Sequence, residues 1–578
     1  MRVLPNNCLR AWIAQRWLVA LFAVITCSPL VMAAPVASPP EPAVVGTFPE
    51  NEADVVRLPD DTLKVFYNQR NEYVGSLTSR DHGKTWSEPQ KEFAVSGKTA
   101  HAMQVLLDPA GELHVFYLVI VGTGRKLNVD LFLDLWQCST VDGRERWSEP
   151  RQVYHGAIGA LRGLVQMKSG RIVLPFSTAA AGRPPGPPTG NFYTTAIVSD
   201  DLGKTWVESK AELTSPCTEG YNGGNYGAVE PTIIQLKDGR LWMLIRTQTG
   251  KLYESYSSDG LIWSTAAPSQ FYSSNSPAMF RRLDDGRLFL AWNNAQIQPR
   301  VDGQGVYSGR DALHAAISAD DGKTWQGFRE VYRDPTRHES SELRNDRATA
   351  YPDAVQTADG MIVLVTGQGE KRRAIVRLSP DWITATHRED DFAQGIEGWT
   401  AFQEFGPAQR FWRARRLGGQ LLPHPDHADR QILAVGRRDE LPGAGAVWNF
   451  AAGRQGTLAV KVRTGDNFGG AQLALTDRLF APADANATGE GLFAVDLHTR
   501  KEDPTGFRIT PNQWHELKLK WDTDKGECRV MLGDREQVLT MRSQPTLGIS
   551  YLALRSLAVG IDESGLMIER VAVDIANR

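Results

Sequence analysis

Ser79-Arg-Asp81-His-Gly83-Lys-Thr85-Trp86 returns as Ser199-Asp-Asp201-Leu-Gly203-Lys-Thr205-Trp206 and again as Ser318-Ala-Asp320-Asp-Gly322-Lys-Thr324-Trp325. Two looser copies lie between these, Ser139-Thr-Val-Asp-Gly143 leading to Trp147 and the shortened Ser257-Ser-Asp259-Gly260-Leu-Ile-Trp263. The five tryptophans stand 61, 59, 57 and 62 residues apart, and self-similarity at a fixed period marks a repeat architecture. The residue types explain the motif. Asp accepts hydrogen bonds from backbone N–H groups in a tight turn, Gly supplies a positive φ, and Trp plugs the apolar space beneath. One active site does not need the same turn several times, so these aspartates are hairpin-stabilising groups rather than calcium ligands or catalytic acids.

A second periodic element has the same meaning. Val55-Val-Arg-Leu-Pro-Asp-Asp61-Thr-Leu-Lys-Val-Phe-Tyr67 reads as strand, tight turn, strand. The pattern recurs over 104–117, 163–175, 232–246, 278–293 and 353–366, each time with a Gly- or Asp-bearing turn between apolar strands. Six hairpins predict an all-β fold, a six-bladed β-propeller over residues 49–386 that buries its sheet faces by radial repetition.

Beyond Trp382 the repeats stop. Residues 387–578 alternate apolar and polar over short runs separated by turns such as Asp524-Lys-Gly526, the pattern of an antiparallel β-sandwich. Asp391-Phe-Ala-Gln-Gly-Ile-Glu-Gly-Trp399 and Trp514-His-Glu-Leu-Lys-Leu-Lys-Trp521 resemble jelly-roll or concanavalin-like lectin modules attached to carbohydrate enzymes. A stabilising cap on the propeller and a sugar-binding module are both open.

The chain has 578 residues, 42% hydrophobic and 23% charged, with a formal charge of −3. This is the balance of a globular protein with a core. It excludes a disordered tail, a multi-span membrane protein and a basic nucleic-acid-binding face. Arg2, Arg10 and Arg16 precede a short apolar run from Trp17 to Ile25 and small residues around Ala33-Ala34. These are the three parts of a secretory signal peptide, and the interrupted run falls short of the roughly 20 residues of a membrane span. A signal over 1–33, a flexible leader over 34–48 and a secreted or periplasmic mature protein, free of the membrane after cleavage, are expected. Cys138, Cys217 and Cys528 remain after cleavage, enough for at most one disulfide. No metal-ligand spacing and no phosphate-binding glycine loop occurs, so no cofactor is expected. Tyr221-Asn-Gly-Gly-Asn-Tyr-Gly227 reads as a pocket loop.

The Asp-box turns on a six-bladed pattern resemble the sialidase (neuraminidase) superfamily. Three consecutive blades carry the resemblance further. Glu230-Pro-Thr-Ile-Ile-Gln-Leu-Lys-Asp-Gly-Arg-Leu-Trp-Met-Leu-Ile-Arg246 resembles the strand pair holding a catalytic Glu and a carboxylate-binding Arg. Arg310 precedes an Asp box, as another arginine of that family does. Tyr351, in Thr349-Ala-Tyr351-Pro-Asp353, sits where sialidases carry a nucleophilic tyrosine. The resemblance implies an exo-glycosidase that removes terminal sialic acid or a related acidic sugar from a glycan. Tyr351 would attack, Glu230 would take its proton, and Arg246 and Arg310 would clamp the substrate. A neutral tyrosine suits an anionic sugar, which would repel a carboxylate nucleophile. The alternative for the same residues is a satisfied Glu230–Arg246 ion pair beside a packed aromatic.

The sequence departs from the family in two places. Where the first arginine of the family belongs, ahead of the blade-one strand, stand Asn51 and Glu52. Arg57 lies too near the hairpin turn to replace it. The aspartate acid/base has no counterpart either, which leaves Glu72 and His101 as the available proton donors. Arg70 and Arg162 point toward the pocket on this reading, with Glu52 in its wall. A glycosidase or lyase on another polysaccharide and a non-catalytic glycan-binding propeller therefore remain as alternatives.

Overall fold

A computed structural model of the chain describes residues 39–50, 52–144, 146–179, 192–216, 227–296, 309–340, 349–409, 412–441, 443–482, 491–499, 506–545 and 547–576. The signal segment and Cys217 lie outside these residues. So does the loop 221–227 apart from Gly227. Six antiparallel sheets come first, each opened by one of the six hairpins read from the sequence. Blade one consists of Ala53–Arg57, Leu63–Gln69, Tyr73–Ser79 and Gln90–Ala94, and the next four blades repeat the order of inner strand to outer strand.

Blade six closes the ring differently. Its strands Asp353–Gln356, Ile362–Thr366 and Ala374–Leu378 are completed by Ala43–Gly46, which pairs antiparallel with Ala374–Leu378. The segment expected to be a flexible leader thus contains a strand. An outer strand left unpaired would expose a row of N–H and C=O groups, and pairing it with the start of the chain satisfies them.

The repeated turn has the chemistry its sequence implies. In the first copy the Ser79 hydroxyl and the Lys84 and Thr85 N–H groups donate to Asp81 Oδ1 at 2.8, 3.1 and 3.0 Å. Gly83 has φ 79°, and a Cβ there would stand 2.4 Å from Val363. The copies at Asp201 and Asp320 repeat the bonds from the Ser hydroxyl and the Thr N–H. The weak blade-two copy is built otherwise. Glu112, from the neighbouring hairpin turn, accepts from Gly143 N–H and Arg144 N–H.

Residues 387–576 form two facing sheets of eight and seven strands. His387–Asp390 is the first strand, paired with the long strand Asp562–Ile575, so the sandwich begins where the repeats end. Its core includes Trp399, Trp448, Phe450 and Trp521, all fully buried. Cys528 sits in that core and Cys138 in blade two, both as free thiols.

The sandwich is fused to blade five through buried polar groups. Asn449 donates to the Phe328 carbonyl at 3.0 Å and accepts from Glu330 N–H at 2.8 Å. Leu479 N–H donates to the Asn294 carbonyl and Gln296 N–H to the Leu479 carbonyl. His314 Nδ1 accepts from Asn294 N–H at 3.1 Å, so its proton is on Nε2, directed at the Tyr551 hydroxyl 2.5 Å away. That hydroxyl donates to Glu330 at 2.6 Å. His338 Nε2 accepts from Ala401 N–H at 3.1 Å. Burial pushes both imidazoles down, His314 to about 4 and His338 to about 3, and both are neutral in the fold.

This seam has a pH signature. Between pH 6.5 and about 3 the unfolded His338 binds a proton that the folded one refuses, so stability rises with pH across that window. The slope is about 1.4 kcal/mol per pH unit for one proton. The stability–pH curve of a His338→Gln variant, measured by urea unfolding from pH 4 to 7, is expected to be shallower than wild type by about that slope. An unchanged slope contradicts a neutral buried imidazole.

Candidate active site

Hairpin turns and Asp boxes share one face of the propeller. Arg57 of the blade-one turn pairs with Asp61 and Asp284 there, and Lys237 N–H of the blade-four turn donates to Asp321. The inner strands therefore start at the opposite face, around the axis, and the functional candidates stand at those starts. Arg57 is remote from them.

Three of these residues share an unusual backbone. Glu52, Glu230 and Tyr351, at the inner-strand starts of blades one, four and six, have φ of 64°, 48° and 59°. The left-handed region costs an L-residue about 1–2 kcal/mol. It also breaks the strand alternation and turns the side chain toward the axis. Strain of this kind concentrates at functional sites.

Tyr351 is the centre of the arrangement. Its hydroxyl donates to Glu230 Oε1 at 3.2 Å and accepts from Arg246 Nη1 at 3.2 Å, and Arg246 is ion-paired with Glu230 Oε2. Arg162 and Arg310 lie against the ring, with Cζ atoms 5.1 and 5.6 Å from its centroid. Burial and the Glu230 charge push the phenol above its ordinary range, against the pull of Arg246 and Arg310. It is a neutral phenol touching the carboxylate that can take its proton. Tyr351, Glu230, Arg246 and Phe192 line a cavity of about 250 Å³.

The arginines are held by other groups. Arg246 Nε donates to Asn275 Oδ1 and Arg310 Nη2 to the Asn275 carbonyl, both at 2.7 Å. Arg162 donates to Glu52 Oε2 at 3.2 Å and to the Pro352 carbonyl at 3.3 Å. Gly163 lets this segment lie on blade four, since a Cβ there would be 2.8 Å from Thr232 Cα. Three arginines thus surround Tyr351. The third comes from blade three, and the blade-one position is occupied by Glu52. Gln368 Nε2 donates to Glu52 Oε1 at 3.2 Å.

A second lobe of about 410 Å³ adjoins the first, sharing Glu230 and Gly159 and lined also by Glu52, Arg70 and Lys98. Both lobes need Gly159, where a Cβ would be 2.6 Å from Ser177 Oγ. Glu72 is exposed in the turn after Leu63–Gln69 and lines neither lobe. The His101 side chain is outside the described residues. Beneath the site Arg281 donates to Asp353 Oδ1 at 2.7 Å, and Asp353 accepts from Val55 N–H at 2.8 Å. Burial and the Asp353 charge push the neighbouring Asp54 well up. A cavity of about 1380 Å³ lies away from the axis, against the sandwich. Two of its arginines are ion-paired, Arg333 with Glu330 and Arg337 with Glu397.

Residues 95–364 match the family model described as a BNR repeat-like domain. The propeller is thus similar to BNR repeat-like domains over most of its length. A comparison with curated proteins found no match. Among solved structures, the chain is similar to Trypanosoma rangeli sialidase in complex with 2,3-difluorosialic acid, described as a covalent intermediate. Identity is 13% and the TM-score 0.40, over 91% of this chain and 92% of that one. A mutant of NanB sialidase from Streptococcus pneumoniae is similar at 13% identity and TM-score 0.41, over 61% of this chain and 72% of that one. A protein of unknown function from Dyadobacter fermentans is similar at 18% identity and TM-score 0.42, over 59% and 97%.

Asn275 and Gln368 are site residues that sequence reading missed. Asn275 stands in Ser273-Ser-Asn275-Ser276, a polar run that reads as solvent-facing loop yet is wholly buried. Gln368 lies between two turn glycines, where a loop polar residue draws no notice.

Proposed function

We propose that the protein is an exported retaining exo-glycosidase of sialidase type, which hydrolyses a terminal acidic sugar from glycans. The observation that carries the reading is the Tyr351 hydroxyl, held between the Glu230 carboxylate and the Arg246 guanidinium on the wall of a cavity. As Tyr351 Oη attacks the anomeric carbon, its proton passes to Glu230 Oε1. Arg246 stabilises the growing negative charge on the phenol oxygen and returns to Glu230 as that charge is consumed. Arg162 and Arg310 make the pocket attractive to a sugar carboxylate and give it fixed forks for orientation. The basic, apolar and small-residue segments of the N-terminus support export.

The Glu52–Arg162 pair favours a second reading, in which the sugar is not sialic acid, because with the Glu230–Arg246 pair it gives two of the three arginines a carboxylate partner already. The test is a panel of fluorogenic glycosides headed by that of N-acetylneuraminic acid. Products are read by mass spectrometry, together with labelling by a fluorinated glycosyl fluoride. A hydrolysed sugar of retained configuration and an adduct on the Tyr351 peptide are expected. A product lighter by one water shows a lyase, and binding without turnover shows a glycan-binding propeller.

A further inference from the structure

We propose that Glu52 is the proton donor to the leaving group, standing in for the aspartate that the sialidase pattern carries and this chain lacks. The inference rests on the glycosidase reading above and on three features of the site that reading does not use.

The first is placement. Glu52 lies in the lobe beside the one over Tyr351, and Glu230 and Gly159 border both. A sugar seated over Tyr351 would direct its aglycone oxygen into the Glu52 lobe. The second is backbone. Glu52 shares its left-handed conformation with Tyr351 and Glu230, and a residue that only filled the wall would have no need of it. The third is the contrast between the two carboxylates. Glu230 is ion-paired with Arg246 and touches the nucleophile, whereas Glu52 accepts two bonds of 3.2 Å, from Arg162 and Gln368. Charge-assisted bonds run nearer 2.7–2.9 Å as a rule, so the ionised form of Glu52 is held loosely.

Arg162, Glu230, Arg70 and Lys98 are the charged groups that face it. Burial outweighs Arg162 and, with Glu230, pushes the Glu52 carboxyl up. Two carboxylates with opposed environments divide acid and base work between them.

The steps balance. In the first, the Glu52 O–H bond breaks and its proton goes to the glycosidic oxygen as the anomeric C–O bond breaks. The Tyr351 Oη–carbon bond forms, and the Tyr351 proton moves to Glu230. In the second, water attacks the anomeric carbon and gives its proton to the Glu52 carboxylate. Tyr351 Oη leaves and recovers its proton from Glu230. Glycoside and water become sugar and alcohol, and both carboxyls return to their starting states.

The test compares the full-length wild type with Glu52→Gln on two substrates of the same sugar, an alkyl glycoside and a glycosyl fluoride. Only the first needs a proton at its leaving atom. The variant is expected to lose about 10³-fold on the alkyl glycoside, within the usual 10²–10⁴ for general acid catalysis. It should lose less than about tenfold on the fluoride, and the basic limb of its pH profile should disappear. Glu52→Asp, which keeps an acid one methylene back, should recover part of the alkyl-glycoside turnover and the limb. Equal losses on both substrates overturn the assignment. If Tyr351 takes the label and those losses are equal, Glu52 is wrong while the glycosidase reading stands. If neither substrate turns over, infrared difference spectroscopy still decides. A protonated-carboxyl band at neutral pH, absent from Glu52→Gln, supports the assignment, and its absence from wild type overturns it.

Discussion

Tyr351→Phe lowers kcat by at least about 10³-fold, about 4 kcal/mol of barrier at 1.36 kcal/mol per decade, with substrate affinity changed by less than about threefold. Removing the hydroxyl deletes the proposed attacking atom and two bonds of 3.2 Å, yet orphans no charge, because Glu230 keeps its ion pair with Arg246. The ring stays between Arg162 and Arg310, and the left-handed backbone is no more strained for Phe than for Tyr. Steady-state kinetics, calorimetric titration with the product sugar and a thermal melt separate the outcomes. Loss of turnover with binding and melting unchanged supports a tyrosine nucleophile. Retained turnover removes it.

Arg415→Met destabilises the protein by about 3–5 kcal/mol, the cost of leaving one charge of a buried pair without its partner. Arg415 of the sandwich is ion-paired with Asp311 of blade five, both buried, and its guanidinium lies 4.3 Å from the Phe402 ring centroid. Asp311 follows Arg310, so the same substitution loosens one wall of the Tyr351 pocket and raises KM. The double variant Asp311→Asn with Arg415→Met removes both charges and recovers most of the loss. Urea unfolding of the two single variants and the double variant gives the coupling directly. A single variant as stable as wild type shows that the sandwich does not brace blade five through this pair.

The propeller was legible because its signals are local. An Asp-box turn holds its Ser, Asp, Gly, Thr and Trp within eight residues, and an inner hairpin within about fourteen. Each therefore forms the same way wherever it falls, and counting copies counts blades. The start of the sandwich was legible for the same reason, as the place where those copies stop. The strand Ala43–Gly46 was not. Pro- and Ala-rich sequence around it gives no strand pattern, and only the open edge of Ala374–Leu378, more than three hundred residues later, makes it one.

The site was legible by type and not by arrangement. Glu230, Arg246 and Tyr351 stand in recognisable local sequence. Arg162 carries no motif, and its place against Tyr351 follows from Gly163 packing blade three onto blade four. Glu72 was a reasonable acid by chain position, but its side chain is exposed and lines neither lobe although Arg70 and Asn71 of the same turn line one, whereas Glu52 is buried in that lobe's wall.

The sequence by itself determined the blade number, the turn chemistry and the domain order, because periodicity and short-range hydrogen bonding suffice for each, whereas the tyrosine–glutamate–arginine set was suggested by resemblance to a known family. The tertiary structure alone decided which side chains share the axis. Ring closure brings residues 52, 162, 230, 246, 310 and 351 together from five blades, and their mutual distances depend on how six twisted sheets pack around one centre rather than on any local pattern.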